Sequence, residues 1–190
     1  MMPALDAAEA GTRIARALDA AGIAHAIGGA LALGVHGVPR GTLDVDLNVF
    51  VSEEGLGAVF DVLRSVGVTL DPVSALSAAR TQGMFIGDLD GMRIDVFVPS
   101  IPFSDEAGRT RVRIASPDGG ADWFLSAEAL AVFKLLFARP KDFVDLERLL
   151  AVQGAALDRA YVRRWIAEMM GDDERVRRWD ALVREAGGAT

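Results

Sequence analysis

The segment Leu43-Asp44-Val45-Asp46-Leu47-Asn48-Val49 constrains this chain more than any other, because it alternates strictly. Successive side chains of a strand point to opposite faces, so Val45, Leu47, Val49 and Val51 share one face and Asp44, Asp46 and Asn48 the other. Two carboxylates therefore stand side by side, roughly 6.7 Å apart along the strand. A charge in so apolar a strand needs a partner such as a metal ion, since a buried carboxylate without one is costly. The spacing also imitates the start of a calcium-binding EF-hand loop. That reading fails, because the sixth position is Val49 instead of Gly and the twelfth is Gly55 instead of Glu.

Upstream, Gly28-Gly29 follows a short apolar strand over 24–27 and opens a helix over 29–35. Taken alone the glycine pair is a tight strand-to-helix turn, although a helix N-terminus also favours phosphate. Neither a Walker sequence nor the Rossmann fingerprint is present. Downstream, Met92 to Val98 alternates again and sets Arg93, Asp95 and Phe97 on one face. Asp95 is either an ion-pair partner for a nearby arginine or a third converging carboxylate. Three carboxylates on a sheet face, beside a turn that favours phosphate, suit metal-dependent phosphoryl or nucleotidyl transfer.

The remaining pattern predicts an α/β core followed by helices. A helix over 7–21 ends at Gly22, and a helix starting at Ser52 ends at Gly67. Strands over 82–86 and 92–98 flank the turn Gly87-Asp88-Leu89-Asp90-Gly91. A strand over 109–115 would place Arg109, Arg111 and Arg113 in one basic stripe. Ser116-Pro117-Asp118-Gly119-Gly120 is the best boundary, dividing a core over 1–118 from a helical module over 119–190. In that module Ser126 caps a helix over 127–137, and further helices follow over 143–152, 157–170 and 173–185.

Composition narrows the function. At 190 residues and 51% apolar the chain can bury a substantial core. A net charge of −7 disfavours a broad nucleic-acid-binding surface, while leaving room for a small basic patch on one RNA end. No apolar run is long enough for a membrane span, and Met1-Met2-Pro3-Ala4-Leu5-Asp6 lacks the layout of a secretory signal. The absence of cysteine suits a cytoplasmic protein, and the two histidines are too isolated for a zinc centre. Eighteen arginines accompany only two lysines, Lys134 and Lys141, and both fall in one segment.

Together these residues resemble the nucleotidyltransferase superfamily, whose pattern is a glycine pair, an Asp-x-Asp about a dozen residues on, and a later strand-borne Asp. The common form of the pair is Gly-Ser; here it is Gly28-Gly29, leaving only backbone N–H groups at that point. Lys134 with Arg139-Pro140-Lys141-Asp142-Phe143-Val144-Asp145-Leu146 is similar to a segment of small bacterial members, among them toxins of abortive-infection toxin–antitoxin systems. The resemblance implies a polymerase-β-like mixed sheet flanked by helices, with a helical C-terminal module. It implies transfer of NMP from an NTP to an acceptor hydroxyl with release of pyrophosphate, the acceptor being an RNA end, a small molecule or a protein. Asp44, Asp46 and Asp95 would hold Mg²⁺ or Mn²⁺. Gly28, Gly29, Arg40, Lys134, Asp142 and Asp145 would serve the nucleotide, with Asp142 equally suited to cap a helix and Asp145 to orient a lysine. A cognate antitoxin is an implied partner, and a catalytically silent nucleotide-binding protein of the same fold is the alternative.

Overall fold

The computed structural model describes residues 6–116 and 119–187. In chain order the elements are α1 (Ala7–Ala20), β1 (His25–Ile27), α2 (Gly29–Val35), β2 (Asp44–Val49), α3 (Leu56–Ser65), α4 (Pro72–Gln82), β3 (Met84–Leu89) and β4 (Met92–Phe97). They continue with α5 (Ser104–Arg109), β5 (Val112–Ala115), β6 (Ala121–Phe124), α6 (Ala127–Phe137), α7 (Pro140–Gln153), α8 (Arg159–Met170) and α9 (Glu174–Gly187). Single 3₁₀ turns cover Glu53–Gly55 and Gly154–Ala156.

The strands form one mixed sheet in the order β3-β4-β2-β1-β6-β5. β2 and β4 run parallel at its centre, and β1 pairs antiparallel with β2 and parallel with β6. Val45, Leu47, Ile94 and Val96 are fully buried on the apolar face, and α1, whose Ile14 and Leu18 are also fully buried, packs on β2 there. α1 starts where Asp6 accepts the Glu9 N–H at 2.7 Å, a cap that satisfies an orphan donor of the first turn. With one face of β2 and β4 sealed in this core, the carboxylates are forced to the other. The architecture is the mixed α/β sheet with flanking helices that the sequence implies.

Several local expectations change: β3 runs on through Leu89, so the expected five-residue turn shrinks to Asp90-Gly91. Arg109 ends α5 and is ion-paired with Glu106 there, so the strand begins only at Val112 and the three-arginine stripe does not exist. Arg111 and Arg113 instead stack on Trp123, 4.5 and 5.6 Å from its ring centroid. α4, absent from the periodicity reading, is fixed by its ends: Asp71 accepts the Ser74 N–H at 2.8 Å, Pro72 opens the helix, and Gly83 closes it at φ +71°. Ser52 does not cap through its side chain, and a 3₁₀ turn precedes α3.

β6 lies beyond the 116–120 turn yet pairs with both β1 and β5, so the sheet continues past that turn. Ser116 N–H donates to the Gly120 carbonyl at 2.8 Å there, and Pro117 and Asp118 lie outside the described residues. The helices α6 to α9 follow, with α6 packed against α2 and α7. Among the described residues no helix is long and apolar enough to cross a membrane.

Candidate active site

β2 and β4 pair in parallel register, setting Asp44 opposite Arg93, Asp46 opposite Asp95, and Asn48 opposite Phe97. All six side chains line a cavity of about 940 Å³ between this face of the sheet and α6. The carboxylates are thereby brought to one wall as the alternation requires. The Asp46 carboxyl is pushed up to about 6, first by burial and then by the charges of Asp44 and Asp95, against the pull of Lys134 and Arg139. Burial and nearby anions both disfavour ionisation here, and together they outweigh the two cations.

The flanking carboxylates are held individually. Thr42 donates its hydroxyl to Asp44, and Arg93 Nε donates to Asp95 Oδ1 at 2.7 Å. Asp95 is therefore both a member of the acidic wall and the ion-pair partner of a neighbouring arginine. Among the described residues no three His, Cys, Asp or Glu side chains are already gathered into a metal cage. The donor chemistry nonetheless fits a hard divalent cation such as Mg²⁺ or Mn²⁺, which takes carboxylate oxygens. A cation at Asp46 would offset both the burial and the neighbouring charges that raise its carboxyl.

Gly28 and Gly29 serve this wall by being small. Gly28 N–H donates to the Asp46 carbonyl at 2.8 Å, which docks the turn before α2 onto β2. Gly29 has φ +53°, and the space a Cβ would fill is occupied by the Asp46 carboxylate. A serine at this position would collide with Asp46, so the departure from Gly-Ser has a steric reason here. Gly29 lines the cavity, whereas Gly28 sits behind it.

The opposite wall comes from α6 and α7. Lys134 is only 5% exposed, and its Nζ donates to Asp145 Oδ2 at 2.7 Å and lies 3.5 Å from Asp142 Oδ1. Asp145 also faces Arg40, whose Nε is 3.4 Å from Oδ1. Asp142 is the third residue of α7 and not its cap: it accepts the Arg139 backbone N–H at 3.1 Å and the Arg139 Nε at 2.7 Å. Burial works against its ionisation, but Arg139 and Lys134 outweigh it and hold the carboxyl below its usual range. Asp145 lies behind the cavity lining, while Lys134, Arg139, Arg40, Lys141 and Asp142 all reach it.

Sequence reasoning placed Asp44, Asp46, Asp95, Lys134 and Arg40 around one cavity. It passed over Thr42, Arg93 and Arg139 as site residues, although Arg139 stood in the segment quoted. Strand alternation could have found Arg93, and the Arg-Pro-Lys-Asp start of α7 could have found Arg139. The aromatic wall from Phe97 and Phe137, with ring centroids 5.8 Å apart, carries no motif and depends on the end of α6 meeting the end of β4 through these two rings.

No protein-family model matches the chain, and no curated protein matches its sequence. Solved structures do match in fold. The solution structure of the antibiotic-resistance factor ANT(2'')-Ia is 16% identical with a TM-score of 0.51, over 94% of this chain and 91% of that one. The crystal structure of ANT(2'')-Ia with adenylyl-2''-tobramycin gives 16% identity and a TM-score of 0.51, over 92% of this chain and 95% of that one. An antigenic nucleotidyltransferase-like protein from Paracoccidioides brasiliensis gives 17% identity and a TM-score of 0.52, over 94% of this chain and 88% of that one. The fold of this chain is the one these nucleotidyltransferase structures share.

Proposed function

We propose that the chain transfers a nucleoside monophosphate from an NTP to an acceptor hydroxyl, with release of pyrophosphate. The observation that carries this reading is the Asp46–Asp95 rung with Asp44 beside it, a raised carboxyl at its centre, facing the buried Lys134 and the more exposed Arg139 across one cavity. ANT(2'')-Ia, which shares the fold, is described with an adenylylated aminoglycoside, a product of the same reaction class.

In this reading Asp44, Asp46 and Asp95 hold Mg²⁺ or Mn²⁺, which when bound offsets phosphate charge and lowers the pKa of the attacking hydroxyl. The chain's own residues do the rest. Lys134 and Arg139 face the triphosphate, and Asp145 and Asp142 fix them in place. Arg40 holds the far side of Asp145 and lines the cavity beside them. Gly29 allows backbone to approach the phosphates closely, while Gly28 docks the turn onto β2 behind it. Asp95 is placed to accept the acceptor's proton once its bond to Arg93 opens. Phosphoryl-type transfer needs mainly positioning and charge stabilisation, and this cavity supplies both.

Residues 1–118 supply the carboxylates and residues 119–190 supply Lys134 and the wall facing them, so the division of the chain is one of role. Titration calorimetry with Mg²⁺ and each NTP tests the reading. The parent protein should bind one or more NTPs, and Asp44→Asn/Asp46→Asn should lose the metal-dependent part. Unchanged binding in the double variant would refute the assignment.

A further inference from the structure

We propose that the recess beyond the carboxylates is the acceptor seat, and that it takes a ring-bearing hydroxyl compound without positive charge. The proposal rests on the transfer reading above and goes beyond it by naming the acceptor's chemistry. The cavity floor is graded along the strands. Arg93 pairs with Asp44 at one end, Asp46 with Asp95 next, and Asn48 with Phe97 beyond them. Asp95 and Phe97 are alternate residues on one face, so a hydroxyl at Asp95 puts the acceptor's body against Phe97.

That body meets an apolar wall. Met84, the register partner of Phe97, joins Val98, Ile101, Phe133 and Phe137 around the recess. Phe137 is 47% exposed although α6 is otherwise largely buried, which leaves open aromatic surface at the cavity. Its ring face already carries a cation, the Arg139 guanidinium 4.9 Å from the centroid.

Asn48 supplies the second, independent observation. It is only 7% exposed, lines the cavity, and its carboxamide makes no hydrogen bond among the described residues. The amide is held over Gly28, where a Cβ would come within 2.8 Å of Nδ2. Its polar atoms are reachable from the cavity and are not sealed in the core, so a ligand that enters can pair with them. It offers both a donor and an acceptor, which suits hydroxyl or carbonyl groups and gives no counter-charge to an ammonium.

Negative charge is missing from this end. Among the described residues the acidic groups lining the cavity are Asp44, Asp46, Asp95 and Asp142, and Asp142 is already committed to Arg139 and Lys134. A polycation would lose hydration against aromatic rings without an ion partner.

The test uses two probes on the full chain, phenyl β-D-glucoside and tobramycin, by calorimetry with Mg²⁺, with and without a non-hydrolysable ATP analogue. The glucoside should bind and tobramycin should bind at least about tenfold more weakly. Phe97→Ala should weaken the glucoside about two- to tenfold, the loss of one aromatic contact, and leave the ATP analogue unchanged. Phe97→Leu, which keeps the apolar volume, gives the same comparison if the alanine variant fails to fold. Tobramycin binding as tightly as the glucoside, or no glucoside binding with or without the analogue, overturns the proposal. Weaker ATP-analogue binding in Phe97→Ala also overturns it and assigns the recess to the nucleobase. Loss of analogue binding by the parent protein would instead count against the transfer reading, while the probes measured alone still decide the recess.

Discussion

Asp46 stands directly opposite Asp95 across the parallel pair of β2 and β4, and its carboxylate rests where a side chain at Gly29 would otherwise lie. The site therefore stores repulsion between carboxylates and keeps its turn side bare. Both features make measurable claims.

Metal-free stability should depend on Asp46. The folded protein keeps a proton on this carboxyl up to about pH 6, whereas the unfolded chain releases it near 3.8. More protons are bound in the folded state between those values, so stability falls as pH rises through that window, by up to about 3 kcal/mol. Asp46→Asn removes the effect and should melt higher than the parent at pH 7 in the presence of a chelator. Thermal melts of both proteins from pH 4 to 8 check this; parallel curves would contradict it.

Gly29→Ser, which restores the commoner residue type of the resemblance, should harm the protein. A left-handed conformation costs an L-residue about 1–2 kcal/mol, and the new Cβ also displaces Asp46. Nucleotide binding and melting temperature should fall together, and a gain in either would show that the Asp46 position is not required.

Lys134 carries two roles that can be separated. Lys134→Met leaves two buried carboxylates with only their arginine partners and should cost about 3 kcal/mol, the lower end for breaking a buried pair. Lys134→Met/Asp145→Asn should regain part of that stability. Nucleotide affinity should remain about 1.5–3 kcal/mol weaker in both variants, the worth of a charge-assisted hydrogen bond. Affinity returning with stability would make the lysine purely structural.

The contrast between Lys134 and Arg109 shows what the sequence could convey. A lone lysine in the apolar run Ala131 to Phe137 marks a buried charge, and the nearby aspartates of the next helix supply its partners. The β2 alternation likewise puts Asp44, Asp46 and Asn48 on one face before any fold is known. Arg109 alternates with Arg111 and Arg113 by accident of spacing, since Ser104, Asp105 and Glu106 start a short helix whose last turn it occupies. β6 was illegible for another reason. It holds four residues with Asp122 in the middle, and that charge is buried only because Thr12 and Arg16 of the distant α1 meet it together with nearby Ser116. Tertiary partners of that kind leave no local pattern.

Arg111 and Arg113 should matter for stability and not for nucleotide. Each stacks on Trp123, and at the exposed Arg113 such a contact is worth about 0.5–1 kcal/mol. Arg111→Gln/Arg113→Gln should lower the denaturant midpoint slightly and leave NTP affinity intact. A drop in NTP affinity would place the β5–β6 hairpin in the active site.

The most direct test follows the phosphate itself. Each NTP, labelled at the α-phosphate in one set and at the γ-phosphate in another, is incubated with Mg²⁺ and fractionated small molecules, RNA or protein as acceptors. The account predicts that label moves to an acceptor from the α-position only, with equimolar pyrophosphate, and that Asp46→Asn abolishes the transfer. Transfer of γ-label, or α-label transfer that survives Asp46→Asn, would contradict it.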